Sequence, residues 1–346
     1  MARKSYDGIF DQYKLLDEDI VGFYRVLGKG AFGEVREVKI GTKIYAAKLV
    51  EKEKSDNLEP ENLRGANIIK IVKISERKID NKYYDLIIME KAVLKDIGTL
   101  INFLLDKNLL KIINNPFVEL ISDNLLRFFV KQIVAGLETL DRSDLVHFDI
   151  KPENLLITSG LILKISDFSF LKNLRHHIGE DFKIPGGTHG YVSPEYYKRK
   201  RINGNEAKKQ DYFALGATIY FLKFGHRLLK FKKYEEDNNN QSRAVDLLQR
   251  NIALIKSKLV LQRDFVDFLC SLIAYSPEQR PSFEEIFRNK WLNKNSKVIN
   301  NIIQIFSEGE EDKFMRELIK SDYLCERKKE LKKSPVIKFK FLKNKK

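Results

Sequence analysis

The hydrophobic pattern of the chain changes once, close to Met89. Before that residue, short apolar runs are separated by Gly, Asn and Lys, as expected for β-strands joined by tight turns. The predicted strands are residues 23–27, 35–40, 44–50, 68–74 and 83–89. After Met89, apolar residues recur every three or four positions, which is typical of helices. The sequence therefore predicts a small, mostly β part followed by a larger, mostly α part.

Two of the predicted helices can be placed from their sequence. Ser122 is a residue type that often forms an N-cap, and an apolar face runs from Leu126 to Leu140 behind it. Residues 212–224 are apolar on nearly all sides, which predicts a buried central helix. Residues 235–241 are polar, with three consecutive Asn, and predict a loop between helices.

Length and composition favour an intracellular protein of more than one unit. The chain has 346 residues, longer than a usual single domain, and 43% of them are hydrophobic. Residues 1–10 lack the apolar run of a signal peptide, and the uncharged stretch 212–222 is shorter than the roughly 20 residues of a membrane-spanning helix. Cys270 and Cys325 fit neither a disulfide framework nor a zinc site. We expect no transmembrane segment and a cytoplasmic location, with the nucleus as an alternative.

The net charge of +15 is concentrated at the C-terminus. Residues 327–346 contain ten Lys or Arg and one acid, a net +9. Charge runs of this kind are usually solvated and disordered, and that interpretation is favoured. Val336, Ile337, Phe339 and Phe341 alternate with the lysines, however. Docking of this tail on an acidic partner, a nucleic acid or a membrane surface therefore stays open.

A glycine-rich segment lies between two predicted strands. It reads Gly28-Lys29-Gly30-Ala31-Phe32-Gly33. Glycines let backbone N–H groups approach phosphate oxygens without a Cβ in the way. The same spacing also opens dinucleotide-binding folds, but there a helix follows, whereas here Val35 begins another strand. Taken alone, a phosphate-binding hairpin and an ordinary β-turn are equally good interpretations. Lys48, on the next predicted strand, is placed to pair with α- and β-phosphates.

The most informative residues are Asp149, Lys151, Asn154 and Asp167. Asp149 would accept the proton of an attacking hydroxyl, and Lys151 would neutralise charge on a transferring phosphoryl group. Asn154 and Asp167 offer the oxygen ligands that Mg²⁺ prefers. The segments between them, 155–157 and 161–165, predict a hairpin that holds both acidic sites on one side. Two unrelated turns are the disfavoured alternative, because all these motifs occur in order.

With these motifs, the chain resembles the eukaryotic-type protein kinases of the Ser/Thr class. The resemblance implies an α+β, bilobal fold with an N-terminal extension at 1–22, a kinase domain at 23–292 and a basic tail at 293–346. The small lobe would end near residue 91, and ATP with Mg²⁺ would bind between the lobes. The nucleotide-binding residues would be Leu27, Gly28, Gly30, Phe32, Gly33, Val35, Ala46, Lys48, Met89, Glu90, Ala92 and Leu156.

The resemblance continues downstream. Residues 187–195 are similar to the loop that positions the peptide, and Thr188 would hydrogen-bond to Asp149 and Lys151. Asp211 would brace the catalytic loop, and Arg280 would pair with Glu195. The implied function is transfer of the γ-phosphoryl group of ATP to Ser or Thr hydroxyls of a protein substrate, with Asp149 as the base.

The chain departs from the family pattern at three places. The acidic partner of Lys48 is expected at Glu59, with Glu61 as the alternative. Ser169 stands where the family usually has Gly, which predicts altered switching with activity retained. Phe148 replaces the arginine that usually receives an activation-segment phosphate, and no Ser, Thr or Tyr lies between residues 169 and 188. We expect that activity needs no phosphorylation of this loop.

One rival interpretation is an inactive kinase-like scaffold. Loss of a catalytic residue would be its usual mark. Lys48, Asp149, Asn154 and Asp167 are all present, however, which favours an active enzyme.

Overall fold

The computed structural model describes residues 20–30, 33–51, 63–92, 94–106, 119–158, 161–198, 201–229, 241–259 and 262–294. Some predicted features fall outside these ranges, namely the N-terminal extension up to residue 19, Phe32, Glu59, Glu61, residues 235–240 of the predicted loop at 235–241 and the basic tail beyond residue 294. Within the ranges, a mostly β part precedes a mostly α part. The predicted α+β fold with two lobes is therefore confirmed.

The N-terminal lobe is built on one antiparallel sheet with the strand order β1-β2-β3-β5-β4. The strands are β1 (Ile20–Gly30), β2 (Gly33–Ile40), β3 (Lys43–Glu51), β4 (Ile71–Ile79) and β5 (Lys82–Glu90). Asp80 and Asn81 form the turn from β4 to β5, both with positive φ, which these residue types tolerate better than most.

The apolar run at 68–74 was predicted to be one strand, but β4 begins only at Ile71. Ile68 and Ile69 are buried against the C-terminal lobe. The Ile69 N–H donates to Ile165 O at 2.9 Å, and the Ile165 N–H donates to Asn67 O at 2.9 Å. The start of the run thus anchors one lobe to the other, which explains why it is apolar without belonging to the strand.

Helices make up most of the C-terminal lobe. They are α1 (Ile97–Asp106), α2 (Asp123–Arg142), α3 (Pro194–Tyr197), α4 (Gly204–Phe224), α5 (Gln241–Lys258), α6 (Arg263–Leu272), α7 (Phe283–Phe287) and α8 (Lys290–Asn293). Ser122 caps α2 as predicted, because its hydroxyl accepts from the Leu125 N–H at 3.3 Å. No helix in the described ranges is long and apolar enough to cross a membrane.

The central helix α4 is longer than its apolar pattern indicated. Its first turns are polar, so hydrophobicity alone detects only residues 212–224. Asn203 and Glu206 form a capping box, which satisfies exposed backbone N–H groups and starts the helix earlier, at Gly204. Most of the buried apolar residues of α4 lie in the main hydrophobic core, and the helix supports the loops that pack against it.

Two of three pairs of short strands place residues 147–154 beside residues 166–171. The pairs are β6 (Leu145–Val146) with β9 (Lys172–Asn173), β7 (Leu155–Ile157) with β8 (Leu163–Ile165), and β10 (Phe182–Lys183) with β11 (Arg201–Ile202). The β7–β8 pair confirms the predicted hairpin. Strands β6 and β7 flank residues 147–154, and their partners flank residues 166–171. The two stretches are therefore held together at both ends.

Glu195 and Arg280 form a buried ion pair beneath these loops. Arg280 Nη2 lies 2.9 Å from both carboxylate oxygens of Glu195, and the two side chains are 0% and 2% exposed. Arg280 also donates to the carbonyl oxygens of Ala274 and Lys209. A buried charge in such a network is compensated only while its partner remains.

We therefore expect Arg280→Met to lower the free energy of unfolding by about 3–5 kcal/mol, since it leaves the Glu195 carboxylate buried without its cation. Chemical denaturation measures this change. The matched control is Arg288→Met, because Arg288 pairs with Glu284 on α7 while its side chain is 77% exposed. That control should cost less than about 1 kcal/mol. Equal losses in the two variants would contradict the prediction.

Candidate active site

The side chains of Asp149, Lys151 and Thr188 form a closed triangle of hydrogen bonds. Lys151 Nζ donates to Asp149 Oδ2 and to Thr188 Oγ1, both at 2.7 Å. The Thr188 hydroxyl donates in turn to Asp149 Oδ1 at 2.7 Å. Asp149 is buried, so its carboxylate lies between one cation and one hydroxyl. These contacts also join the loop that begins at Thr188 to the stretch 147–154.

Asn154 is held in a single orientation at the other end of this stretch. Its side-chain nitrogen donates to the backbone oxygen of Asp149 at 2.8 Å and to Asp149 Oδ2 at 3.0 Å. The Asn154 backbone oxygen accepts from Ser166, both from the N–H and from the hydroxyl. With its nitrogen committed to Asp149, the amide directs its oxygen away from that residue. This contact also links the 147–154 stretch to the 166–171 stretch.

Asp211, on α4, braces the turn that precedes Asp149. Its carboxylate oxygens accept from the His147 N–H at 2.7 Å and from the Phe148 N–H at 2.8 Å. Phe148 has φ 63°, a conformation that is strained for a bulky side chain. Burial raises the pKa of Asp211 to about 7, with a contribution from the Asp149 charge and opposition from the two amide donors. The brace stabilises a backbone shape that the chain would otherwise avoid.

His147 connects the stretch 147–154 to Phe168. Its Nδ1 accepts from the Asp149 N–H at 3.2 Å, so Nε2 carries the proton and donates to Ser166 O at 3.0 Å. Burial lowers the pKa of His147, against the opposing charge of Asp149, and keeps the ring neutral. The ring packs edge-on against Phe168 with centroids 5.5 Å apart. Phe168 is thereby fixed next to Asp167.

Lys48, Asp167 and Ser169 form the second polar cluster. Lys48 Nζ donates to Asp167 Oδ1 at 2.7 Å and to Ser169 Oγ at 3.1 Å, and Ser169 Oγ donates to Asp167 Oδ1 at 2.5 Å. Burial alone would raise the pKa of Asp167, but the Lys48 ammonium and the Ser169 hydroxyl outweigh it and hold the pKa well below its usual range. Asp167 is therefore a carboxylate at neutral pH.

The contact made by Ser169 was not anticipated from the sequence, which pointed only to reduced backbone freedom at that position. A local signal existed. Ser side chains often hydrogen-bond to polar groups two residues away, and Asp167 lies at that spacing.

One face of the N-terminal sheet carries the residues predicted to contact nucleotide. Val35 lies opposite Lys48, and Ala46 lies opposite Met89 in the strand register. Ala46 and Lys48 are two residues apart on β3, so they point to the same side of the sheet. The four side chains therefore share the face that meets Asp167.

The glycine-rich segment closes the β1–β2 hairpin. Gly28 pairs with Val35, and Gly30 pairs with Gly33. Gly33 has φ 141°, and a Cβ there would lie only 2.3 Å from the Leu49 backbone oxygen. A side chain at this position would thus force the hairpin away from β3. Leu27 lies directly before Gly28 and is half-buried.

The segment that joins the lobes follows Met89. The Glu90 N–H donates to Lys70 O at 2.9 Å, and its carboxylate accepts from Lys164 Nζ at 2.6 Å. Glu90 is therefore bonded to both lobes. Ala92 follows it and is half-buried, as is Leu156 on β7. A predicted contact between Lys48 and Glu59 involves a residue outside the described ranges and stays a prediction.

Phe148 lies in a hydrophobic cluster with the segment that precedes Thr188. Its ring packs edge-on against Phe182 with centroids 6.2 Å apart. The cluster consists of Val146, Phe148, Leu174, Phe182, Ile202 and Ala207, with Phe170 and Ile184 packed against it. Phe148 thus contributes an apolar contact where the family pattern has a charge.

A polar contact not foreseen from the sequence holds the same segment near its start. The Leu174 N–H donates to Asp144 O at 2.8 Å, and Arg175 Nε lies 3.1 Å from Asp144 Oδ2. The hydrogen bond from Arg175 holds the pKa of the Asp144 carboxyl below its usual range. Asp144 has φ 55°, which Asp adopts more readily than most residues.

The described residues contain no group of three or more His, Cys, Asp or Glu side chains that could hold a metal ion on its own. Asp167 and the Asn154 side-chain oxygen remain a suitable pair for Mg²⁺, which typically takes one or two protein ligands and fills its shell with water and substrate phosphates. The low pKa of Asp167 fits that role, because it keeps the carboxylate charged.

Comparison with known proteins gives a consistent picture. A family model described as "Protein kinase domain" matches residues 22–292. The hormonally up-regulated neu tumor-associated kinase of Mus musculus is 28% identical over 303 residues, which cover 83% of this chain and 38% of that protein. G protein-coupled receptor kinase 4 of Rattus norvegicus is 30% identical over 227 residues, 63% of this chain and 36% of that protein.

A third relative is the serine/threonine-protein kinase cds1 of Schizosaccharomyces pombe. It is 30% identical over 166 residues, which are 47% of this chain and 34% of that protein. The matched regions cover well under half the length of each of these relatives. Since the family model extends over most of the sequence, the chain belongs to the protein kinase domain family.

Proposed function

We propose that the chain is a protein serine/threonine kinase, which transfers the γ-phosphoryl group of ATP to Ser or Thr hydroxyls of protein substrates. The observation that carries the proposal is the triangle of Asp149, Lys151 and Thr188, with each contact at 2.7 Å. A carboxylate next to a lysine is suited to accept a hydroxyl proton while the cation neutralises phosphate charge. The relative cds1 is a serine/threonine-protein kinase, which supports the Ser/Thr class.

Asp149 is the proposed base. In the transfer step its carboxylate takes the proton from the substrate hydroxyl. The hydroxyl oxygen forms a new bond to the γ-phosphorus, and the bond between the γ-phosphorus and the β-phosphate oxygen breaks to release ADP. Lys151 stabilises the negative charge on the phosphoryl oxygens during this exchange. Thr188 keeps the Asp149 carboxylate oriented and ties the substrate loop to it. The protein contributes mainly position and charge, as phosphoryl transfer requires.

The nucleotide is proposed to lie against the sheet face that carries Val35, Ala46, Lys48 and Met89. Lys48 would bind the α- and β-phosphates, and the hairpin of Gly28, Gly30 and Gly33 would cover them. Leu27 and Leu156 would enclose the adenine together with Val35 and Ala46. The Glu90 N–H already donates to Lys70 O, so the adenine would meet the Glu90 carbonyl oxygen and the Ala92 backbone.

Asn154 and Asp167 are the proposed ligands for Mg²⁺. The Asn154 nitrogen is committed to Asp149, which leaves its oxygen for a metal, and Asp167 is held as a carboxylate by Lys48. When bound, Mg²⁺ would neutralise phosphate charge and align the transferring group. Ser169 and Lys48 both bond to Asp167 Oδ1, so the other carboxylate oxygen would face the metal.

We further propose that catalysis needs no phosphate on the segment between residues 169 and 188. The support is the apolar cluster around Phe148 together with the Asp144–Arg175 ion pair at 3.1 Å. The cluster holds the segment at Phe148, the position where a phosphate receiver would stand, and the ion pair holds it near its start. The segment also lacks Ser, Thr and Tyr between its end residues.

Asp149→Asn should reduce phosphoryl transfer to a generic basic protein by about a hundredfold or more, because the positioned base is lost. Incorporation of labelled phosphate from ATP measures the effect. The matched control is Asp267→Asn, an exposed Asp on α6 with no place in the site. It should behave as the wild type. Equal transfer by Asp149→Asn and the wild type would refute the proposed role of Asp149.

The apolar cluster around Phe148 can be tested by substitution. Phe182→Ala removes a ring that is 8% exposed, which should open the segment and lower kcat/KM by at least about tenfold. Ile178→Ala changes an apolar residue of the same segment that is 81% exposed, and it should leave kcat/KM near the wild-type value.

Phosphatase treatment of the wild type completes that experiment. The treated enzyme, checked by mass spectrometry for absence of phosphate within 169–188, should retain its activity. An essential phosphate in this segment, or equal behaviour of the Phe182 and Ile178 variants, would count against the proposal.

A further inference from the structure

Arg227 is fixed beneath the loop that begins at Thr188. Helix α4 ends at Phe224, and its C-cap Gly225, with a φ of 74°, leads the chain towards this loop. Arg227 Nη1 then donates to His189 O at 3.3 Å, and the guanidinium lies 5.7 Å from the centre of the Tyr191 ring. Gly190 makes the close packing possible, because a Cβ there would come within 3.0 Å of the Arg227 side chain. The cation is therefore held at a defined place.

Among the described residues, no carboxylate forms an ion pair with the Arg227 guanidinium. The sole acid between residues 186 and 198 is Glu195, which is buried and paired with Arg280. Burial raises the pKa of the Tyr191 hydroxyl, and the charge of Glu153 raises it further, whereas Arg227 lowers it. The exposed carboxylate of Glu153 and the guanidinium of Arg227 therefore both act on the Tyr191 hydroxyl.

Arg227 is also close enough to the proposed base to contact the same peptide. Thr188 bonds to Asp149, and its neighbour His189 bonds to Arg227. One residue step spans about 3.8 Å, so the guanidinium lies on the order of 10 Å from the base. An extended peptide covers that distance in about one to three residues. A side chain that close to the acceptor hydroxyl would reach Arg227.

We propose that Arg227 selects protein substrates with an acidic side chain within three residues of the accepting Ser or Thr. The proposal rests on the phosphotransferase function and names a substrate class for it. The guanidinium would form an ion pair with the substrate carboxylate at the rim of the site, and its fixed position lowers the entropic cost of that contact. The same cation disfavours a basic residue at that place.

The test uses the full chain and synthetic peptides with a single Ser acceptor. One set carries Asp at one of the three positions before or after the Ser, and a matched set carries Asn at the same position. The kcat/KM ratio of each Asp peptide to its Asn partner isolates the effect of one charge. The wild type should favour at least one Asp peptide by about threefold or more, the range of a solvent-accessible ion pair. The ratio should shrink with added salt.

Four variants attribute the preference to Arg227. Arg227→Gln should bring the ratio close to one while the KM for ATP stays the same, Arg227→Lys should keep the preference, and Arg227→Glu should reverse it. The control Arg263→Gln changes an exposed Arg at the start of α6 and should leave the ratio as in the wild type.

The outcomes separate this proposal from the kinase function itself. If no peptide is phosphorylated by the wild type, the phosphotransferase proposal fails. If peptides are phosphorylated but the Asp and Asn partners react equally, the kinase function stands and the role of Arg227 is refuted. A preference that persists in Arg227→Gln would also overturn the inference.

Discussion

The candidate site depends on the hydrogen bonds that the backbone before Asp149 donates to the buried Asp211 carboxylate. Its two oxygens accept the N–H groups of His147 and Phe148, at 2.7 and 2.8 Å, and thereby hold Phe148 at a positive φ. That turn directs Asp149 towards Lys151 and Thr188, and it places the His147 ring against Phe168. Because Asp211 lies on the buried helix α4, the position of the core determines the geometry of residues 147–149.

Polar and hydrophobic contacts order different parts of the site. Hydrogen bonds and ion pairs fix residues 147–154, whereas the segment before Thr188 is held chiefly by the cluster around Phe148 and Phe182. An apolar cluster forms without modification and depends little on salt. A charged receiver would order the segment only when a phosphate is present. This difference is the physical basis of the proposal that the segment needs no phosphate.

Much of this arrangement was predictable because the candidate catalytic groups lie in short motifs with fixed spacing. The order of a mostly β part and a mostly α part followed from the change of period near Met89, and the two-lobed fold from the family resemblance. The β7–β8 hairpin followed from two apolar runs. Where the prediction failed, the cause was local. Ile68 is apolar because it anchors the lobes, and the start of α4 depends on a polar capping box. Long-range contacts such as Arg175 with Asp144, or Arg227 beneath Gly190, leave no periodic signal in the sequence.

Amide hydrogen exchange at residues 147 and 148, measured in the wild type and in Asp211→Asn, tests this dependence most directly. The variant retains only one acceptor oxygen, so the account predicts exchange at these two amides at least about tenfold faster, with a parallel loss of phosphoryl transfer. Unchanged exchange, or faster exchange with full transfer activity, would contradict it.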